Sequence, residues 1–363
     1  MDDRELLRTI AGLFVVGFSG ISPPKDILDL VDMGLGGVIL FSRNLPDVET
    51  CVDLVEQLCD AASVQPLLVS LDQEGGDVQR LGPPVIQLPA MQVLGLGGVE
   101  LCRRAGAQLG AELRALGFCM DYAPVLDVNS NLDNPIIGRR AFSDEPHQAA
   151  LLALGFAQGL SEAKIANCGK HFPGHGDTDT DSHISLPLLS HSMERLRSVE
   201  LIPFEKAIDR SLDSIMVAHL LAESIDKDAP TSLSAETYKI LRDDLGFEGL
   251  CLTDDMEMGA VAENPGVVDA CIAALRSGAD GVLVCHRPEL AFEAIDRIAV
   301  LVQSGQMDLS ALLLSERRWQ GLRRKYEFEK DPVRPDIEKF RALCKSRERN
   351  RLEVEIKRLE HMS

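Results

Sequence analysis

Eight short apolar and β-branched runs recur along the chain, each closing on polar side chains. They are LFVVGFS (13–19), GVILFSRN (37–44), LLVSLDQEGG (67–76), GFCMDYAPVLDV (117–128), IANCGKHFPGHG (165–176), SIMVAHL (214–220), LCLTDDMEM (250–258) and GVLVC (281–285). Their continuous apolar character predicts strands buried on both faces, hence a parallel sheet. Segments with helical spacing lie between them. Leu101, Ala105, Leu109, Leu113 and Leu116 mark one face of 98–116. Asn264 followed by Pro265 predicts a capped helix start, with Gly278 as its stop, and Ser234 precedes another helical run ending before Gly246. Strand-like runs alternating with helices predict an α/β fold, a single (β/α)8 TIM-type barrel rather than an open doubly wound sheet.

The last forty residues break this pattern. From Arg323 to Ser363 there are 13 basic and 9 acidic side chains, an excess of +4 in a chain of net charge −20. DPVRPD interrupts the chain, and the stretch after it reads as a charged helix with few apolar positions. The expected division is a barrel over 1–325 and a charged helical C-terminal extension over 326–363. That extension is solvated, packed on the barrel, or a dimerisation helix.

Composition narrows the function. With 45% apolar and 26% charged residues over 363 positions, the chain carries enough core for one large domain. A charge of −20 excludes a non-specific nucleic-acid binder and an anionic-membrane surface protein, both of which need clustered Lys and Arg. The nine cysteines are scattered without a C-x-x-C pair, the usage of buried free thiols in a reducing compartment. The acidic start MDDRE does not suit a secretory signal, and no run reaches the ~18 apolar residues of a membrane span. A cytoplasmic protein with a small-molecule partner, monomeric or weakly dimeric, is expected.

In a barrel of this kind, function sits at the C-terminal ends of the strands. Here those ends carry Asp72, Glu74 and Arg80; Asp121 and Asp127; Lys170 and His171; His219; and Asp254, Asp255 and Glu257. The densest cluster is KHFPGHGDTDTDSH (170–183). As a calcium loop it fails, with Ser182 where glycine is required and Leu188 in place of the bidentate Glu. As a zinc site it lacks the helical H-E-x-x-H pattern, and Pro173, Gly174 and Gly176 forbid a helix. No metal and no cofactor is expected. Asp181, two residues before His183, is spaced to hold that imidazole, as a general acid/base requires. The glycines at 95, 97 and 98 lack the dinucleotide-binding spacing.

Five segments occur together in this order: DQEGGDVQR (72–80), IIGRRAFSDEP (136–146), KHFPGHGDTDTDSH (170–183), IMVAHL (215–220) and LTDDMEMGA (252–260). The set resembles glycoside hydrolase family 3, in its single-domain bacterial β-N-acetylhexosaminidase branch, from roughly residue 5 to residue 290. The resemblance implies Asp254 as nucleophile, His183 as acid/base with Asp181 as its partner, and Asp72, Arg80, Arg140, Lys170 and His171 as the clamp on the terminal sugar. Asp255 is the competitor for the nucleophile's role and more naturally caps the following helix. Lys170 is also a candidate buried partner for Asp72 or Asp127, and His219 is either a satisfied strand-end histidine or a wall of the sugar pocket.

Two positions depart from the family pattern: Asp77 stands where a basic residue is usual, and Thr253 where Ser is usual. About 78 residues follow Cys285, too few for the second α/β domain that supplies a carboxylate acid in many β-glucosidases of the family. The implied reaction is removal of terminal, non-reducing β-linked N-acetylglucosamine with retention, from GlcNAc-anhydroMurNAc-peptides of peptidoglycan turnover. Its rivals are a phosphorylase using the same intermediate and a non-catalytic sugar-binding barrel.

Overall fold

The computed structural model describes residues 1–178 and 186–361. Among these, each of the eight apolar runs contributes one strand, and the strands close into a parallel barrel. They are β1 Phe14–Val16, β2 Gly37–Leu40, β3 Leu68–Leu71 and β4 Met120–Asp121, then β5 Ala166–Phe172, β6 Ser214–Val217, β7 Leu250–Asp255 and β8 Gly281–Val284. Each pairs with its neighbours in chain order, and β8 returns to β1 with Val15 opposite Leu283. Strand and helix faces share one apolar core, so the strands read as unbroken hydrophobic runs.

The predicted Gly98–Ala115 helix is present and packs against Pro146–Glu162. Small residues let these two backbones approach. A Cβ on Gly106 would lie 2.3 Å from the Phe156 carbonyl oxygen, and one on Gly159 would lie 2.1 Å from that of Arg103.

Two local readings change. Asn264 does not cap a helix: it is extended at φ −151° and ψ 113°, as a residue before proline prefers. Gly266, at φ 98°, turns the chain, and the helix starts at Val267 and stops at Gly278. The run after Ser234 is helical and ends before Gly246, Ala235–Lys239 widening into a π-helical turn over Ile240–Asp244, while the Ser234 hydroxyl donates to Asp226 and accepts no capping amide. The charged tail is two helices, Ile337–Cys344 and Arg347–Glu360, because Ser346 caps the second through the Arg349 amide. Its few apolar residues Phe340, Leu352 and Ile356 are buried, and Arg349 donates to the Pro84 carbonyl at 2.7 Å beside Glu112. Part of the tail therefore packs on the barrel wall.

Replacing Gly159 by Ala forces the two helices apart. The expected loss is about 1–3 kcal/mol, read as a lower urea midpoint at unchanged slope.

Candidate active site

The loops after β2, β3, β4, β5, β7 and β8 surround a cavity of about 450 Å³ at the C-terminal end of the barrel. Asp72, Glu74, Arg80, Arg140, Lys170, His171, His175, Asp254, Asp255 and His286 supply its polar lining. Two short strands, Gln73–Gly75 and Val78–Gln79, fold antiparallel directly after β3. The buried Gln73 side-chain amide holds this turn by accepting from the Arg80 and Leu81 backbone amides at 2.7 and 3.0 Å.

At the floor, the Lys170 ammonium bridges Asp72 and Glu74, 2.7 Å from an oxygen of each. Arg140 grips Glu74 with two parallel bonds of 2.9 and 2.8 Å, and Arg80 reaches Asp72 at 3.2 Å. Burial would raise the Glu74 carboxyl, but Arg140 and Lys170 more than offset it and hold the group well below the usual carboxylate range. Asp72 is shifted the same way, its burial outweighed by Lys170 and Arg80. For Lys170, burial pulls downward, yet the carboxylates of Asp72 and Glu74 keep the ammonium charged. Of the two carboxylates expected as partners for Lys170, Asp72 pairs with it and Asp127 does not; Glu74 is the second partner. Asp127 serves His171 instead, accepting from its Nδ1 at 2.6 Å, so the opposite nitrogen is turned toward Arg140 at 3.4 Å.

Asp127 also accepts the His175 amide at 2.6 Å, which anchors the segment after β5. Asn134 adds bonds to the His175 and Thr178 carbonyls at 2.9 and 3.0 Å. A Cβ on Gly176 would stand 1.7 Å from the Val128 carbonyl oxygen, so this close approach requires glycine. Asp181 and His183, the expected acid/base pair, lie outside the described residues.

Asp254 is the penultimate residue of β7, and its Oδ1 accepts the Asp255 amide at 2.8 Å. Burial acts to raise its carboxyl; the His171 and His219 rings, that amide and Lys170 bring it below the usual carboxylate range. Asp255 faces the same cavity, but its Oδ1 is occupied by the Glu257 and Cys285 amides at 3.0 and 3.1 Å. It fixes the turn after β7 to the end of β8. His219 is fully buried, with Nδ1 2.6 Å from the Ser232 hydroxyl and Nε2 2.9 Å from the Asp255 carbonyl. Burial lowers this ring's affinity for a proton. It stands behind Asp254 and is not part of the cavity lining.

The sequence marks Glu74 only as a strand-end acid, and Asp127 as a strand-end acid and candidate partner for Lys170. Period-two spacing puts Asp72 and Glu74 on one face of an extended chain, and that is the signal that could have paired them. Nothing local connects Asp127 to His171, 44 residues away.

A family model described as the glycosyl hydrolase family 3 N-terminal domain matches residues 16–320. A β-hexosaminidase of Thiobacillus denitrificans is 37% identical over 278 residues, covering 75% of this chain and 77% of that protein. A family 3 β-N-acetylglucosaminidase structure from Paenibacillus sp. FPU-7 superposes with TM-score 0.86 at 36% identity, over 93% of this chain and 67% of that one. NagZ from Neisseria gonorrhoeae, solved in complex with N-trifluoroacetyl-D-glucosamine, gives TM-score 0.81 at 29% identity, over 96% and 98% of the two chains.

Substituting Glu74 by Gln leaves Lys170 and Arg140 short of a buried countercharge, at an expected cost on the order of 3 kcal/mol at pH 7. The folded-state carboxyl of Glu74 lies below its unfolded value, so its stabilisation is present above about pH 4.3 and is lost as pH falls toward the folded value. The stability gap between the two proteins should accordingly narrow between pH 6 and pH 3 in urea titrations.

Proposed function

The chain belongs to glycosyl hydrolase family 3, and from that we propose that it removes terminal, non-reducing β-linked N-acetylglucosamine with net retention, using Asp254 as nucleophile and His183 as acid/base. The observation that carries the reading is the environment of Asp254. It is an anionic carboxylate fixed at a strand end, facing a pocket whose floor is a prearranged set of acids and bases. A retaining glycosidase needs such a carboxylate on one side of the anomeric carbon and a proton donor on the other.

In the first step, Asp254 attacks the anomeric carbon while the glycosidic C–O bond breaks. His183 gives its proton to the departing oxygen, with Asp181 stabilising the imidazole. In the second step, His183 takes a proton from water as the water oxygen displaces Asp254, restoring both groups. Asp72 accepts hydroxyl hydrogens of the terminal sugar, and Arg80, Arg140, Lys170 and the cavity-side nitrogen of His171 donate to its oxygens. Their mutual ion pairs hold them in place before substrate arrives, so little ordering cost remains on binding. The substrate class favoured by the resemblance is a disaccharide–peptide fragment of peptidoglycan turnover. Screening aryl β-glycosides of N-acetylglucosamine against glucose tests the sugar preference. A rate that climbs steeply with added phosphate and yields a sugar 1-phosphate would replace hydrolysis by phosphorolysis.

Asp254→Asn should reduce kcat by about 10⁴-fold or more while a product analogue still binds; near-normal turnover would sink the assignment. His183→Ala should cost about 10²–10⁴-fold on a sugar leaving group and far less on an activated aryl one, because the latter needs no proton. The depressed Asp254 carboxyl stays ionised down to the acid side of the ordinary range, whereas a donor imidazole must remain protonated. kcat/KM for unactivated substrates should therefore fall as pH rises past about 6.5, and His183→Ala should flatten that limb.

A further inference from the structure

The pocket is graded in exposure. Lys170 and Glu74 at the floor are 3% and 1% exposed, Arg80 is 27%, and His286 reaches 52%. In a pocket closed at the floor, a terminal sugar fills the deep end and the remainder of the substrate leaves through the open one. The wall at that end is built by Phe41, after β2, and His286, after β8, strands that flank β1 in the barrel. Their rings are stacked, with centroids 5.9 Å apart and planes 23° from parallel.

This wall is stiff. The Arg43 guanidinium lies 4.3 Å from the Phe41 ring centre and is pinned by the carbonyls of Phe18 and Cys285 at 2.9 and 2.5 Å. Arg80 approaches the same ring at 5.2 Å. The His286 backbone amide donates to Glu257 at 2.6 Å, and its Nε2 lies 3.4 Å from Asp255, the residue beside the nucleophile. A planar, half-exposed ring held from below and in reach of the nucleophile's neighbour suits the apolar C–H face of a pyranose.

We propose that the Phe41–His286 stack seats the leaving-group sugar, so that His286 sets the preference for a carbohydrate aglycone over a leaving group without a ring. The proposal rests on the glycosidase reading above and deepens it. The second sugar packs its C–H face on the imidazole as its glycosidic oxygen points back toward Asp254. Phe41 supports the platform and does not itself carry the contact.

Two substrates of the same terminal sugar separate platform from chemistry: N,N′-diacetylchitobiose, whose leaving group is a pyranose, and N-acetyl-β-glucosaminyl fluoride, whose leaving group has no ring. For His286→Ala, the ratio of kcat/KM on the disaccharide to that on the fluoride should fall about three- to tenfold, the scale of one ring-stacking contact. His286→Phe, which keeps a planar ring, should recover most of it. An unchanged ratio in His286→Ala, or an equal loss in the alanine and phenylalanine variants, overturns the platform and leaves the glycosidase reading intact. An unsubstituted enzyme that turns over neither substrate overturns both.

Discussion

One buried ammonium organises the functional end of this barrel. Lys170 sits between Asp72 and Glu74 with almost no contact with water, a placement that carries a large desolvation cost unless the charges around it are matched. Two carboxylates face the ammonium, and each is shared with an arginine, Glu74 with Arg140 and Asp72 with Arg80. The resulting network joins the ends of β3 and β5 to the loop after β4, so removing any one member strands the others. Fully satisfied networks of this kind rigidify what they connect. Here they connect side chains that line the cavity.

Shared carboxylates recur around the network. Asp127 takes the His171 ring and two backbone amides, so one carboxylate orients an imidazole and anchors the chain beyond it. Asp255 ties the turn after β7 to the end of β8, leaving its neighbour Asp254 to face the cavity. The barrel strands supply the rigidity. The polar residues at their ends convert it into a fixed arrangement of charge.

A chain of net charge −20 thus gathers Arg80, Arg140 and Lys170 at one mouth, where they face Asp72, Glu74 and Asp254. The excess acid is spread elsewhere. The positively charged tail joins the barrel through Arg349, whose guanidinium caps the Pro84 carbonyl near the buried Glu112. Glu112 in turn accepts the Ile86 amide at 2.7 Å, so the tail reaches the segment that follows the Gln73–Gln79 hairpin.

Sequence alone was enough for the barrel, because strands covered on both faces leave an unbroken apolar signature and the helices between them keep their period. It also marked the polar strand ends, since carboxylates and histidines closing five of the eight hydrophobic runs have no core to enter. Pairing was another matter. Lys170 and His171 are consecutive and would face opposite ways in a regular strand, yet both line the cavity, where β5 slips its register against β6 between Gly169 and Phe172. The choice of Glu74 over Asp127 for Lys170, the burial of His219 behind Asp254, and the stack of Phe41 on His286 join residues tens to hundreds of positions apart. Periodicity is a property of neighbours along the chain, whereas these contacts are set by how the strands stagger when the barrel closes, and only the folded chain carries that information.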